Sequence, residues 1–232
     1  MLAGVRDRWQ RDPRPGLLVI VAGVALTAFL ALALTIVVTP AFVAFDLAVS
    51  SAIRSIRLPG LQELALVSTT VGSFWPMAAF TIFTGAALLA RGRKTTSATF
   101  VLTVLVGSAF GSLLKLAFGR IRPAMDAVPI PLPETYSFPS GHALASTLFF
   151  GALVILIMLN EKSLRNAALA SAACLAAALS ISMSRVYLGV HYLGDVVGSW
   201  LLGIGWLAIA VMVSARWGAG SQAVSEREEA GA

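Results

Sequence analysis

Of the 232 residues, 58% are hydrophobic and 12% are charged, against about 25% charged in a typical soluble domain, so most of the surface is built for a solvent other than water. The net charge of +6 is too sparse and scattered for a nucleic-acid footprint and reads as positive flanks on membrane helices. A single cysteine, Cys174, excludes an internal disulfide and reads as a packing residue.

The first apolar run, Leu17 to Val38, follows Arg6, Arg8, Arg11 and Arg14 and meets the roughly 20 residues a spanning helix needs. A signal peptide cleaved near Ala31-Leu32-Ala33 is the alternative, but the run is longer than a typical signal core. Ala41 to Leu58 carries Phe42, Phe45, Val49, Ile53 and Ile56 at helical spacing, with Asp46, Ser50, Arg54 and Arg57 among them. That pattern predicts a short amphipathic helix in the membrane interface. The second run, Leu61 to Leu89, is interrupted by Gly72-Ser73 and Pro76. Four more follow: Ser97 to Leu114, Ala143 to Leu159, Ala167 to Met183 and Tyr192 to Val213.

These runs predict an all-α bundle of six transmembrane helices plus one interfacial helix. Residues 1–16 form a basic segment, 17–214 the membrane domain, and 215–232 a small, polar tail expected to be disordered. Arg91, Arg93, Lys94, Lys162, Arg165, Arg216 and Arg227 fall on the same side as the N-terminal arginines, which places both termini in the cytoplasm. The opposite side holds Arg54, Arg57, Lys115, Arg120, Arg122 and Arg185. Gly and Ala are frequent in the helices and allow close packing within or between chains, so oligomeric state is not readable.

Both histidines of the chain, His142 and His191, fall at the boundary of an apolar run on that second side. Pro139-Ser140-Gly141-His142 opens the fourth run. Ser140 can cap the helix, Gly141 lets a ligand approach the backbone, and the first amides of the helix are unpaired, which together make an anion site. The ordinary alternative is an N-cap with a glycine. His191 and Asp195, four apart on a helix, share a face. The carboxylate can hold one ring nitrogen and aim the other at a substrate, or the two can form a structural pair. Lys115, Arg122 and Arg185 sit at the ends of apolar runs, where cations are costly. Snorkelling explains one of them better than all three gathered on one side. Guanidinium groups match phosphate oxygens two at a time, so three cations beside a helix N-terminus describe a phosphate cage. A metal bound by His142, His191 and Asp195 is the rival reading, disfavoured by the nearby cations and by the lack of further ligands. Between Pro123 and Pro139 lies a proline-rich loop, expected to be stiff, with Asp126 and Glu134 in it. Arg120 reads as a snorkelling side chain or a weak head-group contact.

In order and internal spacing, Lys115-x6-Arg122-Pro123, Pro139-Ser140-Gly141-His142 and Ser184-Arg185-x5-His191-x3-Asp195 resemble the three-part signature of the type 2 phosphatidic acid phosphatase superfamily. The resemblance covers roughly Lys115 to Asp195. It implies a lipid phosphatase without metal or other cofactor, with His191 attacking phosphorus, Asp195 holding His191, and His142 protonating the leaving oxygen. Lys115, Arg122, Ser140, Gly141 and Arg185 would bind the phosphoryl oxygens. The expected partners are the bilayer and a membrane lipid phosphate, and no nucleic acid. Candidate substrates are a polyprenyl diphosphate such as undecaprenyl diphosphate, phosphatidylglycerol phosphate, or phosphatidate, met at the outer face of the plasma or inner membrane. An anion or lipid-phosphate transporter using the same basic pocket is the alternative function. It would need the cations but not the His191–Asp195 pair.

Overall fold

A computed structural model describes residues 15–124, 128–132 and 134–230, with backbone alone for 216–230. The N-terminal arginines and Asp126 lie outside the described residues. Among the described residues every regular element is a helix: α1 Pro15–Val38, α2 Pro40–Ser55, α3 Leu61–Val71, α4 Phe74–Ala90, α5 Lys94–Phe118, α6 Gly141–Asn160, α7 Leu164–Tyr187 and α8 Leu193–Ala230. The backbone of α8 is helical past the tail boundary expected at 215, while its apolar, membrane-crossing part ends at Ala215.

Among the described residues, five helices (α1, α5, α6, α7 and α8) are long and apolar enough to cross a membrane. The pair α3 and α4, bent by 57°, makes a sixth span if counted as one. The bend falls at Gly72-Ser73, the interruption visible in the sequence. The Gly72 amide still closes onto the Ser68 carbonyl at 2.9 Å, and the Ser73 amide bonds the Thr70 carbonyl at 3.2 Å, so the break leaves neither amide unpaired in hydrocarbon.

Helix α1 packs along α8, and α6 lies against α5, α7 and α8. The buried side of α1 is Ala22, Ala25, Phe29, Ala33 and Ile36, a stripe at helical spacing that lets backbones approach closely. Phe29 stacks on Phe138 with ring centroids 5.6 Å apart, and Phe118 meets Phe138 edge-on at 5.2 Å. The first helix therefore belongs to the core, directly beneath the loop that precedes Pro139. Side-chain hydrogen bonds tie helices together inside the bundle: Ser68 to Ser180 at 2.8 Å, Ser97 to the Gly85 carbonyl at 2.7 Å, and the Trp206 indole N–H to the Thr103 carbonyl at 3.1 Å.

Helix α2 has the amphipathic pattern the sequence predicts, with its polar side turned into the protein and Phe42 and Ile53 part-buried against the core. Asp46 and Ser50 are buried, while Phe45 and Ile56 are exposed. In a bilayer the apolar face is free to meet lipid, and polar groups gain by turning inward to partners.

Candidate active site

The C-terminal ends of α5 and α7, the N-terminal ends of α6 and α8 and the segment between α5 and α6 converge on one polar cluster. Asp195 stands in the first turn of α8 and is fully buried. Its Oδ2 lies 3.1 Å from His191 Nδ1 and accepts from the Tyr192 amide at 3.0 Å and from the Ser137 hydroxyl. On the other side of the imidazole, Arg122 Nη1 is 3.1 Å from Nε2. A guanidinium only donates, so Nε2 must accept and the ring proton sits on Nδ1, shared with Asp195. Burial pushes the His191 pKa down to about 3, against the opposing pull of Asp195. At neutral pH the ring is therefore neutral, with its Nε2 lone pair held in a fixed direction.

His191 is placed by a tight turn. Helix α7 ends at Tyr187, Gly189 takes a left-handed φ of 77°, and the Val190 and His191 amides both return to the Arg185 carbonyl, at 3.1 and 3.2 Å. The spacing from Arg185 to His191 is the length of that turn. A side chain at the position of Gly189 would be strained in this region of φ.

Lys115 and Arg122 are aimed by backbone carbonyls. Lys115 Nζ donates to the Tyr136 carbonyl at 2.8 Å and the Ser137 carbonyl at 3.3 Å. Arg122 donates to the Thr135 carbonyl at 2.8 Å and the Val190 carbonyl at 2.7 Å. Arg185 is buried and donates to the Thr69 hydroxyl, and its Nε has no partner. Among the described residues, no carboxylate forms a salt bridge with any of these three cations. They are held only by neutral groups, which leaves their charge for a ligand.

At the start of α6, Ser140 is the N-cap and accepts from the Ala143 amide at 3.5 Å. Its side chain is buried and committed to the cap. Gly141 is exposed, and a Cβ there would sit 4.0 Å from Lys115 Cε, so the open face of this helix end looks at the cage. His142 is half-buried and lies within electrostatic reach of Arg185, Lys115 and Arg122. Two of these, Lys115 and Arg122, also act on His191. Both imidazoles thus share one set of cations.

The six ionisable side chains singled out from the sequence (His142, His191, Asp195, Lys115, Arg122 and Arg185) meet at this cluster, with Gly141 at its edge. Three further participants were not read. Ser137 lies 3.2 Å from His191 Nδ1 as well as bonding Asp195. Arg120, expected to snorkel or touch a head group, is instead buried and bonds Asp195 Oδ1 at 2.6 Å and Asp46 Oδ2 at 2.8 Å. Asp46, read as one polar residue of an interfacial helix, is the third. A charge at 120 two residues before the cage arginine was visible, but its partner on α2 was not.

A cavity of about 300 Å³ runs from His142 and Gly141 between α4 and α5, past Gly72, Met77, Ala78, Val104 and Ala109. Its wall is mostly apolar. The Gly72 bend lies at its His142 end, where a Cβ on Gly72 would lie 3.4 Å from the His142 ring and only 2.2 Å from Ile181.

The family model described as the PAP2 superfamily matches residues 96–219, more than half of the chain. Phosphatidylglycerophosphatase B of Bacillus subtilis is 28% identical over 183 residues, spanning 78% of this chain and 89% of that protein. An undecaprenyl-diphosphatase of Sulfolobus acidocaldarius is 34% identical over 109 residues, covering 45% of this chain and 48% of its own length. Among solved structures, the transmembrane PAP2-type phosphatidylglycerolphosphate phosphatase of Bacillus subtilis superposes with a TM-score of 0.72 at 26% identity, covering 82% of this chain and 93% of that one. LpxE of Aquifex aeolicus gives 0.54 at 25% identity, over 73% and 94%. With the matched segment holding Lys115, Arg122, His142, Arg185, His191 and Asp195, the chain belongs to the PAP2 superfamily as a multi-pass membrane protein.

Proposed function

We propose that this protein is a lipid phosphatase that works through a phosphohistidine intermediate and without a metal. The observation that carries the reading is the two-sided grip on His191: Asp195 on Nδ1 and a guanidinium on Nε2. Nε2 attacks phosphorus as the phosphoryl oxygens take over Arg122, Lys115 and Arg185. The P–O bond to the lipid breaks, and His142 gives the leaving oxygen a proton. His142 then takes a proton from water as the water oxygen attacks phosphorus; the P–N bond breaks, its electron pair returns to His191 Nε2, and inorganic phosphate leaves. Preset cations act where charge develops, at about 3–4 kcal/mol per donor in comparable sites. A metal on Nε2 would have to displace a cation already 3.1 Å away, which argues for proton and guanidinium chemistry instead.

The lipid's phosphate sits in the cage at the extracytoplasmic face, and its chain lies in the groove between α4 and α5, still in hydrocarbon. Phosphatidylglycerol phosphate, phosphatidate and a polyprenyl diphosphate all present that combination. The two Bacillus subtilis matches favour the first, because they span most of both chains. Phosphate release by the purified protein across these three substrates tests the assignment. His191→Ala should abolish turnover and His142→Ala should lower it at least about 100-fold. Vanadate should inhibit and EDTA should not. Full activity in His191→Ala, or loss with EDTA reversed by Zn²⁺ or Mg²⁺, would refute the mechanism.

A further inference from the structure

Two buried charges, Asp46 and Arg120, take no part in the chemistry above. We propose that they are positioning residues that lock the amino end of α8 to α2 and thereby fix Asp195 behind the attacking imidazole. This rests on His191 being the nucleophile.

The connections form a closed ring. Arg120 Nη1 donates to Asp195 Oδ1 at 2.6 Å, and Nη2 donates to Asp46 Oδ2 at 2.8 Å. Asp46 Oδ1 accepts from the Gly194 amide at 2.9 Å, and Gly194 is bonded covalently to Asp195. Both the side chain and the backbone of Asp195 are therefore pinned through the same guanidinium. The division of oxygens matters. Arg120 takes Oδ1, which leaves Oδ2 for His191, Ser137 and the Tyr192 amide. A wholly buried carboxylate is costly without an opposite charge, and Arg120 is the only cation in salt-bridge contact with it among the described residues. The Arg120 guanidinium also lies over the Tyr192 ring, 3.9 Å from its centroid, in a cation–π contact.

Helix α2 supplies more than one of these holds. The first amides of α8 lack intrahelical acceptors, and α2 provides them: Ser50 Oγ takes the Leu193 amide at 2.9 Å and Asp46 takes Gly194. The N-terminus that carries Asp195 is thus capped by another helix, and a carboxylate there is favoured by the helix dipole. The fit is made around an absent side chain. A Cβ on Gly194 would stand 2.4 Å from Asp46 Oδ2 and 3.4 Å from Arg120 Nη1.

The test measures kcat and KM for phosphatidylglycerol phosphate in mixed micelles with the full chain. Arg120→Ala and Asp46→Asn should each lower kcat by about 10- to 100-fold, the scale expected from small misplacement of a reacting group, with KM within twofold. Lysine at 120 should not restore the rate, because an ammonium cannot span two carboxylates in a fixed fork. Guanidinium chloride at tens of millimolar should recover activity of Arg120→Ala relative to matched NaCl, and should fail when Asp46→Asn is added. Gly194→Ala removes no charge and should reproduce the kcat loss by pushing Asp46 aside. It serves as the deciding variant if Arg120→Ala does not fold. A kcat within twofold of wild type in Gly194→Ala or Asp46→Asn overturns the proposal. So does a loss in Arg120→Ala that guanidinium leaves untouched, which would make the pair a folding element only. His191→Ala is the control: if it stays active, the phosphohistidine reading fails. If it is dead while the ring variants are normal, the ring alone fails.

Discussion

A neutral His191 has consequences for stability as well as for the proposed chemistry. Its pKa of about 3 in the folded chain lies below the ordinary value near 6.5, so between these limits the unfolded chain binds a proton that the folded one does not. Stability then rises with pH through that window, and folding is weakened by up to about 1.4 kcal/mol for each pH unit below about 6.5. Thermal unfolding in detergent should show this slope, and His191→Gln should lessen it. The side chains with local, linear relations were legible beforehand. His191 and Asp195 share a helical face by their spacing, and Lys115, Arg122 and Arg185 stand out as cations at the ends of apolar runs. Ser137, Arg120 and Asp46 act through partners far away in the chain, and nothing in their own neighbourhood distinguishes a bridging arginine from a snorkelling one.

At the level of helices, hydropathy placed the spans, and Gly72-Ser73 marked the bend in the second. It could not say which way α2 faces. An alternating pattern of Phe45 and Ile56 with Asp46 and Ser50 is the same whether the polar side meets water or a protein interior, and only the presence of waiting donors on α8 decides it. The bend between α3 and α4 opens the groove that ends at His142. Ala78→Trp fills that groove with an indole and should raise KM for a long-chain lipid phosphate several-fold or more. Turnover of a short-chain, water-soluble phosphate ester, which needs only the cage, should be nearly unchanged. Parallel loss on both substrates would place the lipid chain elsewhere.

Over the whole molecule, Lys115, Arg122 and Arg185 gather at one end of the bundle, held by carbonyls and hydroxyls. Arg120 differs because two carboxylates already satisfy it. The cage should therefore take inorganic phosphate, the product, as a competitive inhibitor. Phosphate at about a hundredfold its Kd should stabilise the fold by about 2.7 kcal/mol, which raises Tm by about 5–10 °C at this chain length. Arg185→Ala should remove most of that rise, and matched chloride should not produce it. Repulsion among three neighbouring positive charges is relieved only when an oxyanion stands between them. Electrically the fold is finished by the molecule it acts on, so its melting curve becomes a titration of its own ligand.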